Sequence, residues 1–82
     1  MNKRITVKID VKVKDTSVLS YHSITSFIED RFAINDIIKA NIFILENYNK
    51  KATYLIMGYG ITKEYICNTA IEFLENYLRS DD

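Results

Sequence analysis

The chain is poor in the residues that build covalent and metal-held frameworks. Its 82 residues include one cysteine, Cys67, one histidine, His22, and no proline or tryptophan. A single cysteine cannot form an internal disulfide, and with one histidine it cannot assemble a zinc site from the usual ligands. We therefore expect no metal and no cofactor. Cys67 is interpreted as a small core residue and His22 as a surface or capping residue.

Glycine is scarce as well, and the two glycines, Gly58 and Gly60, flank Tyr59. A phosphate-binding P-loop needs the pattern G-x-x-x-x-G-K-[ST], and the dinucleotide fingerprint needs a third glycine within a βαβ unit. Because neither pattern is present, we interpret the two glycines as easing a tight turn from a strand into a helix. The chain also shows no nucleophile with a partnered base and no carboxylates facing each other across a cleft. We predict that the protein is not an enzyme.

Hydropathy and composition favour a cytoplasmic domain. No apolar run reaches 18 residues, so no membrane-spanning helix is expected, and the basic N-terminus alternates instead of forming the apolar stretch of a secretory signal. Apolar residues make up 48% and charged residues 27%, which is typical of one globular domain over residues 1–82. Isoleucine, lysine and asparagine, whose codons are AT-rich, are abundant. We expect the cytoplasm of a low-GC bacterium, or of a host cell if the protein is viral.

The stretch that best defines a structural element is residues 61–79, ITKEYICNTAIEFLENYLR. Thr62 is suited to be the N-cap of a helix, because its hydroxyl can accept a hydrogen bond from the backbone N–H of Tyr65. Ile61 and Ile66 have the spacing of a hydrophobic staple across that cap. Further apolar residues recur on one helical stripe: Ala70, Ile71, Phe73, Leu74, Tyr77 and Leu78. We predict a helix in which Phe73 and Leu74 are buried against a sheet.

The rest of the chain predicts strands and a shorter helix. Strict alternation over residues 4–14, RITVKIDVKVK, predicts a strand with one apolar and one polar face. A turn at residues 15–17 and a helix at about residues 20–32, capped by Ser20 or Ser23, follow it. After a break at residues 33–36, a buried strand is predicted at residues 37–47, a hairpin loop at 47–51 and a partner strand at 52–59. The predicted fold is a two-layer α+β domain of order β-α-β-β-α, with a three-stranded sheet and two helices packed on one face.

Charge is distributed unevenly although the net charge is zero. Residues 1–14 carry a net charge of +4 and residues 63–82 a net charge of −3. Lys8 and Lys12, followed by Lys14, form a basic stripe on the polar face of the first strand. This stripe could meet phosphates, an acidic protein surface or the acidic helix of a second copy. It is equally compatible with protection of an edge strand against aggregation.

The predicted hairpin offers two further surfaces. At its tip, Tyr48, Lys50 and Lys51 place an aromatic ring beside two cations, which is typical of recognition sites, although a plain loop is the simpler interpretation. The sheet face away from the helices is left with apolar residues, among them Phe43 and Leu55, and such a patch usually marks an interface. The candidates for that face are Ile37, Phe43, Leu45, Thr53, Leu55, Met57 and Tyr59, depending on register.

These features favour a small non-enzymatic protein-interaction module, such as a regulator or inhibitor encoded by a phage or mobile element. Complementary charge and the uncovered sheet predict that it self-associates, with a homodimer favoured because closed two-fold assemblies are the commonest. The alternative is a nucleic-acid-binding module that uses the basic face of the first strand and the hairpin tip. A net charge of zero and a pI of about 6.6 count against that alternative.

Overall fold

A computed structural model of the chain describes residues 4–15, 17–30 and 36–80. The elements are β1 (Ile5–Val13), β2 (Val18–Tyr21), α1 (Ile24–Glu29), β3 (Ile37–Glu46), β4 (Asn49–Ile61) and α2 (Lys63–Ser80). Several predicted features lie outside the described residues: Lys3, Thr16 of the first turn, the helix end at 31–32, the break at 33–35 and the tail at 81–82.

The strands form one antiparallel sheet of four strands in the order β2-β1-β3-β4. The prediction of a three-stranded sheet is therefore wrong. The sequence pattern assigns residues 20 and 21 to the start of the first helix and leaves residues 18 and 19 outside any element, because Tyr21 fits the stripe of Ile24 and Phe27. In the structure residues 18–21 are a short edge strand along residues 9–12 of β1, and Tyr21 reaches the Phe27 ring from the sheet, with centroids 5.1 Å apart. The α+β class, with both helices on one side of the sheet, is confirmed.

The core lies between the helices and one face of the sheet. The predicted alternation of β1 is confirmed, since Val7, Ile9 and Val11 are buried beneath the helices. Ile37 is also buried there and is not available to the opposite face, because a bulge between Ile37 and Lys39 shifts the register of β3. The remaining buried apolar residues are Tyr21, Phe27, Ala40, Ile42, Ile44, Ile56, Ile61, Ile66, Cys67 and Ala70.

The start of α2 agrees with the sequence prediction. The hydroxyl of Thr62 accepts a hydrogen bond from the backbone N–H of Tyr65 at 3.0 Å. Ile61 and Ile66, on either side of this cap, are both buried. The cap and the staple together fix where the chain leaves β4 and enters the helix.

The second half of α2 is less buried than predicted. Ala70 is fully buried, but Phe73 and Leu74 are only partly buried against the core. Ile71 and Leu78 are 43% and 48% exposed. The first two turns of α2 therefore supply its contribution to the core, and the later turns lie at the margin.

Lys63, the first residue of α2, holds α1 in place. Its ammonium group donates hydrogen bonds to the backbone carbonyls of Ile28, at 3.0 Å, and Asp30. It also lies 5.4 Å from the centroid of the Phe27 ring. At the other end of α1, the hydroxyl of Ser23 accepts a backbone N–H at 3.0 Å, which confirms Ser23 as the cap. A helix of six residues is too short to be stable alone. The bonds from Lys63 at its C-terminal end, the Ser23 cap at its N-terminal end and the buried Phe27 ring therefore stabilise it.

Candidate interaction surfaces

The face of the sheet opposite the helices is covered by no other element in the described part of the chain. We call it the open face. Its members follow from the strand register: Thr6, Lys8, Asp10, Lys12, Val18, Ser20, Lys39, Asn41, Phe43, Leu45, Lys50, Thr53, Leu55 and Met57. Phe43 and Leu55 therefore lie where the sequence predicts them.

The basic stripe lies mainly inside the sheet. Lys8 and Lys12 are on the open face as predicted, and Lys39, which sequence reasoning missed, is the direct neighbour of Lys12 on β3. Over residues 9–12, β1 has a strand on each side, so protection of an edge does not explain Lys12 in the folded protein. Lys14 lies beyond the end of β1 and is exposed. Its backbone N–H donates a hydrogen bond to the carbonyl of Asp36, the residue before β3. The stripe therefore loses Lys14 and gains Lys39.

The turn between β3 and β4 is tighter than predicted. β4 begins at Asn49, which leaves Asn47 and Tyr48 as the turn, with φ angles of 52° and 70°. Two successive left-handed residues are typical of the type I′ turn of two-residue hairpins, whose second position is usually glycine. Lys50 and Lys51 accordingly lie on β4, and the predicted loop at residues 47–51 is wrong. The polar run N-Y-N-K-K has the composition of a loop, but strand pairing continues through it.

A group of cations and aromatic rings forms where this turn meets the open face. The guanidinium of Arg4 donates a hydrogen bond to the Tyr48 hydroxyl and lies 5.6 Å from the centroid of that ring. The ammonium groups of Lys8 and Lys50 lie 5.8 and 5.0 Å from the centroid of the Phe43 ring. We call Arg4, Lys8, Phe43, Tyr48 and Lys50 the tip cluster, and all but Arg4 line one shallow depression.

The other half of β4 is an apolar edge. β4 is the last strand in the sheet order, so its outer side has no strand partner among the described residues. Leu55, Met57 and Tyr59 are 50%, 69% and 97% exposed, and residues 52–62 contain no charged side chain. Edge strands are usually kept short or interrupted by lysine or proline. The other edge, β2, is four residues long, whereas this part of β4 carries no lysine or proline and is interrupted only by a bulge at residues 58–60. We call Leu55, Met57 and Tyr59 the apolar edge.

Gly58 and Gly60 give the apolar edge its shape. They lie within β4, where residues 58–60 stand opposite the single residue Ile38 of β3. The strand therefore bulges, and Gly60 has a φ of 67°, which glycine adopts without strain. The predicted turn into a helix is displaced, since the strand continues to Ile61 before the cap of α2. The bulge carries Tyr59 outward, almost fully exposed.

The single cysteine and the single histidine lie apart from the surfaces described above. Cys67 is buried in the core as predicted, and burial raises the pKa of its thiol, while the charge of Lys63 acts in the opposite direction. His22 is exposed. Within the described residues, three or more potential metal ligands do not come together. In the same residues, neither helix combines the length and the apolar character needed to cross a membrane.

Comparison of the chain with protein-family models, with curated proteins and with solved structures finds no match. The tip cluster and the apolar edge are therefore the observations from which function is inferred.

Proposed function

We propose that the protein is a non-enzymatic interaction module that binds another protein by strand addition at the apolar edge. The observation that supports this proposal is the outer side of β4, which pairs with no strand of the described residues and lies beside three exposed apolar side chains. Such an edge offers a row of backbone N–H and C=O groups to an incoming strand. The partner strand would supply main-chain hydrogen bonds and remove Leu55, Met57 and Tyr59 from water.

A second copy of the chain is the first partner we propose, because β4 suits antiparallel pairing with itself. A two-fold axis at Ile56 would place Leu55 opposite Met57 of the other copy, so that apolar side chains meet. The bulge at residues 58–60 would limit the regular ladder to the residues around this axis, so Lys51 would lie beyond the paired segment. The two sheets would join into one continuous sheet, and the open faces would lie on the same side.

We further propose that the module acts as a regulator or inhibitor encoded by a phage or mobile element. A domain this small, with its apolar edge presented to a partner, suits control by occupation of a protein surface. The AT-rich codon preference of its abundant residues supports that source. It also supports action in the cytoplasm of a low-GC bacterium, or of a host cell for a virus.

Leu55→Lys tests this proposal, with Leu78→Lys as a matched control. The two leucines are 50% and 48% exposed, but Leu55 belongs to the apolar edge and Leu78 to the far end of α2. In sedimentation at about 100 μM, well above the Kd of most specific interfaces, we expect dimers for the wild type and for Leu78→Lys. Leu55→Lys should be monomeric but still folded, with a melting temperature that no longer depends on protein concentration. A monomeric wild type, or a dimeric Leu55→Lys variant, would overturn self-pairing through β4.

A further inference from the structure

The open face is basic even though the chain has no net charge. Among its described strand residues, one acid, Asp10, shares this face with Lys8, Lys12, Lys39 and Lys50. One oxygen of Asp10 lies 3.8 Å from the ammonium of Lys8. The acidic residues of α2 lie on the other side of the sheet and are exposed there. Zero net charge thus reflects two separated surfaces of opposite sign and does not count against an anionic ligand on one of them.

The spacing of the cations fits an extended anion. Lys8 and Lys12 are four residues apart on β1, or about 13 Å, and Lys8 and Lys50 are two strands apart, or about 10 Å. A single phosphate could meet Lys8 and Lys50, whose ammonium groups lie near one ring, but not these two and Lys12 together. A flexible polyanion can contact several of them in succession.

Two aromatic rings stand among these cations. The side chain of Tyr48 is 73% exposed, and Phe43 is half-buried with the two ammonium groups near its ring. Lysine side chains are flexible and carry a compact charge, so both ammonium groups can move from the ring to phosphate oxygens. The ring of Phe43 then becomes accessible to a base. Cations that contact phosphates beside rings that stack on bases are the usual components of single-strand binding surfaces.

The backbone of Tyr48 indicates that its side chain serves binding and not folding. It holds the second position of a type I′ turn with a φ of 70°, where glycine is favoured and a large side chain is disfavoured. Its exposed ring contributes nothing to the core. Residues held in unfavourable conformations are concentrated at functional sites. The contact with Arg4 orients the ring at the rim of the open face.

We propose that the tip cluster binds single-stranded nucleic acid, with Tyr48 and Phe43 stacking on bases and Arg4, Lys8 and Lys50 contacting phosphates. An acidic peptide would satisfy the cations but would leave the two rings unused, and a duplex offers no free base faces. This function is separate from protein binding at the apolar edge. Lys50 and Tyr59 are nine residues apart on β4, or roughly 30 Å, so one site can be lost without the other.

Fluorescence anisotropy with a labelled oligothymidine of about 12 nucleotides tests the proposal. Three phosphate contacts should make log Kobs fall with log salt concentration with a slope of about −2, since each contributes about −0.7 for a single strand. The double variant Lys8→Ser, Lys50→Ser should reduce this slope by about 1.4. Lys14→Ser, which removes an exposed lysine outside the cluster, should leave the slope unchanged. No binding at low salt, or the same slope in the double variant and the wild type, would refute the proposal.

Tyr48→Gly separates binding from folding. It creates the pair Asn-Gly, which the type I′ turn favours most, so the melting temperature should not fall although the contact with Arg4 is lost. Loss of one stacking ring should nevertheless weaken oligothymidine binding by about 5-fold to 150-fold. Tyr59→Gly removes a ring that is even more exposed, from the apolar edge, and should not change the affinity. The assignment fails if Tyr48→Gly binds as tightly as wild type, if the matching duplex binds as well as the single strand, or if a polyglutamate peptide binds in place of the oligonucleotide.

Discussion

Replacement of Phe27 by alanine should destabilise the protein more than replacement of any residue in the second half of α2. The Phe27 side chain is fully buried, packs edge-on against Tyr21 at an interplanar angle of 66°, and has the ammonium of Lys63 near its ring. Removal of a buried phenylalanine costs about 3–5 kcal/mol. A chain of this length has a free energy of unfolding of about 4–12 kcal/mol in total. Phe27→Ala should therefore remove a large share of this stability, and nearly all of it if the wild type lies at the lower end of the range.

Phe73→Ala is the comparison, because sequence reasoning places Phe73 at the centre of the buried stripe. In the structure Phe73 is only partly buried, and its main aromatic contact is Tyr54, with centroids 5.4 Å apart. Because only part of the Phe73 ring is buried, its removal should lower the free energy of unfolding by about 1–2 kcal/mol. The two variants thus ask whether α1 or the later turns of α2 contribute more to stability.

Equilibrium urea unfolding, followed by circular dichroism because the chain has no tryptophan, measures the difference. With an m-value of about 1 kcal/mol/M for so small a protein, the midpoint should fall by about 3 M or more for Phe27→Ala. It should fall by about 1–2 M for Phe73→Ala. An equal or larger fall for Phe73→Ala would show that the later turns of α2, and not the short helix α1, dominate the core.

Three further predictions concern individual side chains. Ser23→Ala removes the cap of α1 and should cost about 1 kcal/mol in the same titration, whereas Thr25→Ala, an exposed change within α1, should cost nothing. Burial and the hydrogen bond from its hydroxyl to Asp30, at 2.7 Å, raise the pKa of Tyr21 above its ordinary value of 10.0. Its contribution to stability is therefore complete below pH 10.0 and is lost as the pH rises further, so the urea midpoint should fall less above that pH in Tyr21→Phe than in wild type. Burial also raises the pKa of Cys67, so a thiol reagent should label the native protein far more slowly than the urea-unfolded chain, and equally fast labelling would contradict a buried thiol.

Sequence reasoning predicted the elements whose determinants are local. Thr62 can bond only to a backbone N–H a few residues away, so the start of α2 was readable from adjacent residues. The alternation of β1 likewise placed Val7 inside and Lys8 outside without knowledge of any partner strand. Tyr21 was different, because its spacing fits a helix and a strand equally well. Residues 18–21 become a strand because one side of β1 is available to pair with them. This pairing is a tertiary interaction, which a four-residue segment does not reveal by itself.

The candidate surfaces were predicted only in part, for the same reason. Phe43 and Leu55 follow from alternation along a strand, so their place on the open face could be inferred. The contact between Arg4 and Tyr48 joins residues 44 positions apart and depends on β1 pairing with β3. The exposure of Tyr59 depends on a bulge that becomes visible only when β4 is aligned with its neighbour.

The strand order also has a consequence for how the protein is synthesised. β1 with β2, and β3 with β4, are local hairpins, but the pairing of β1 with β3 joins Ile5 to Glu46. On the ribosome, β1 must therefore wait with one side unpaired until β3 emerges, and pairing over such a separation is slow compared with hairpin formation. During that interval β1 is an edge strand, and Lys8 and Lys12 oppose its association with other nascent chains. We expect these lysines to matter for the yield of folded protein during synthesis, and for Lys12, which has a strand on each side in the folded sheet, this role ends once β3 is in place.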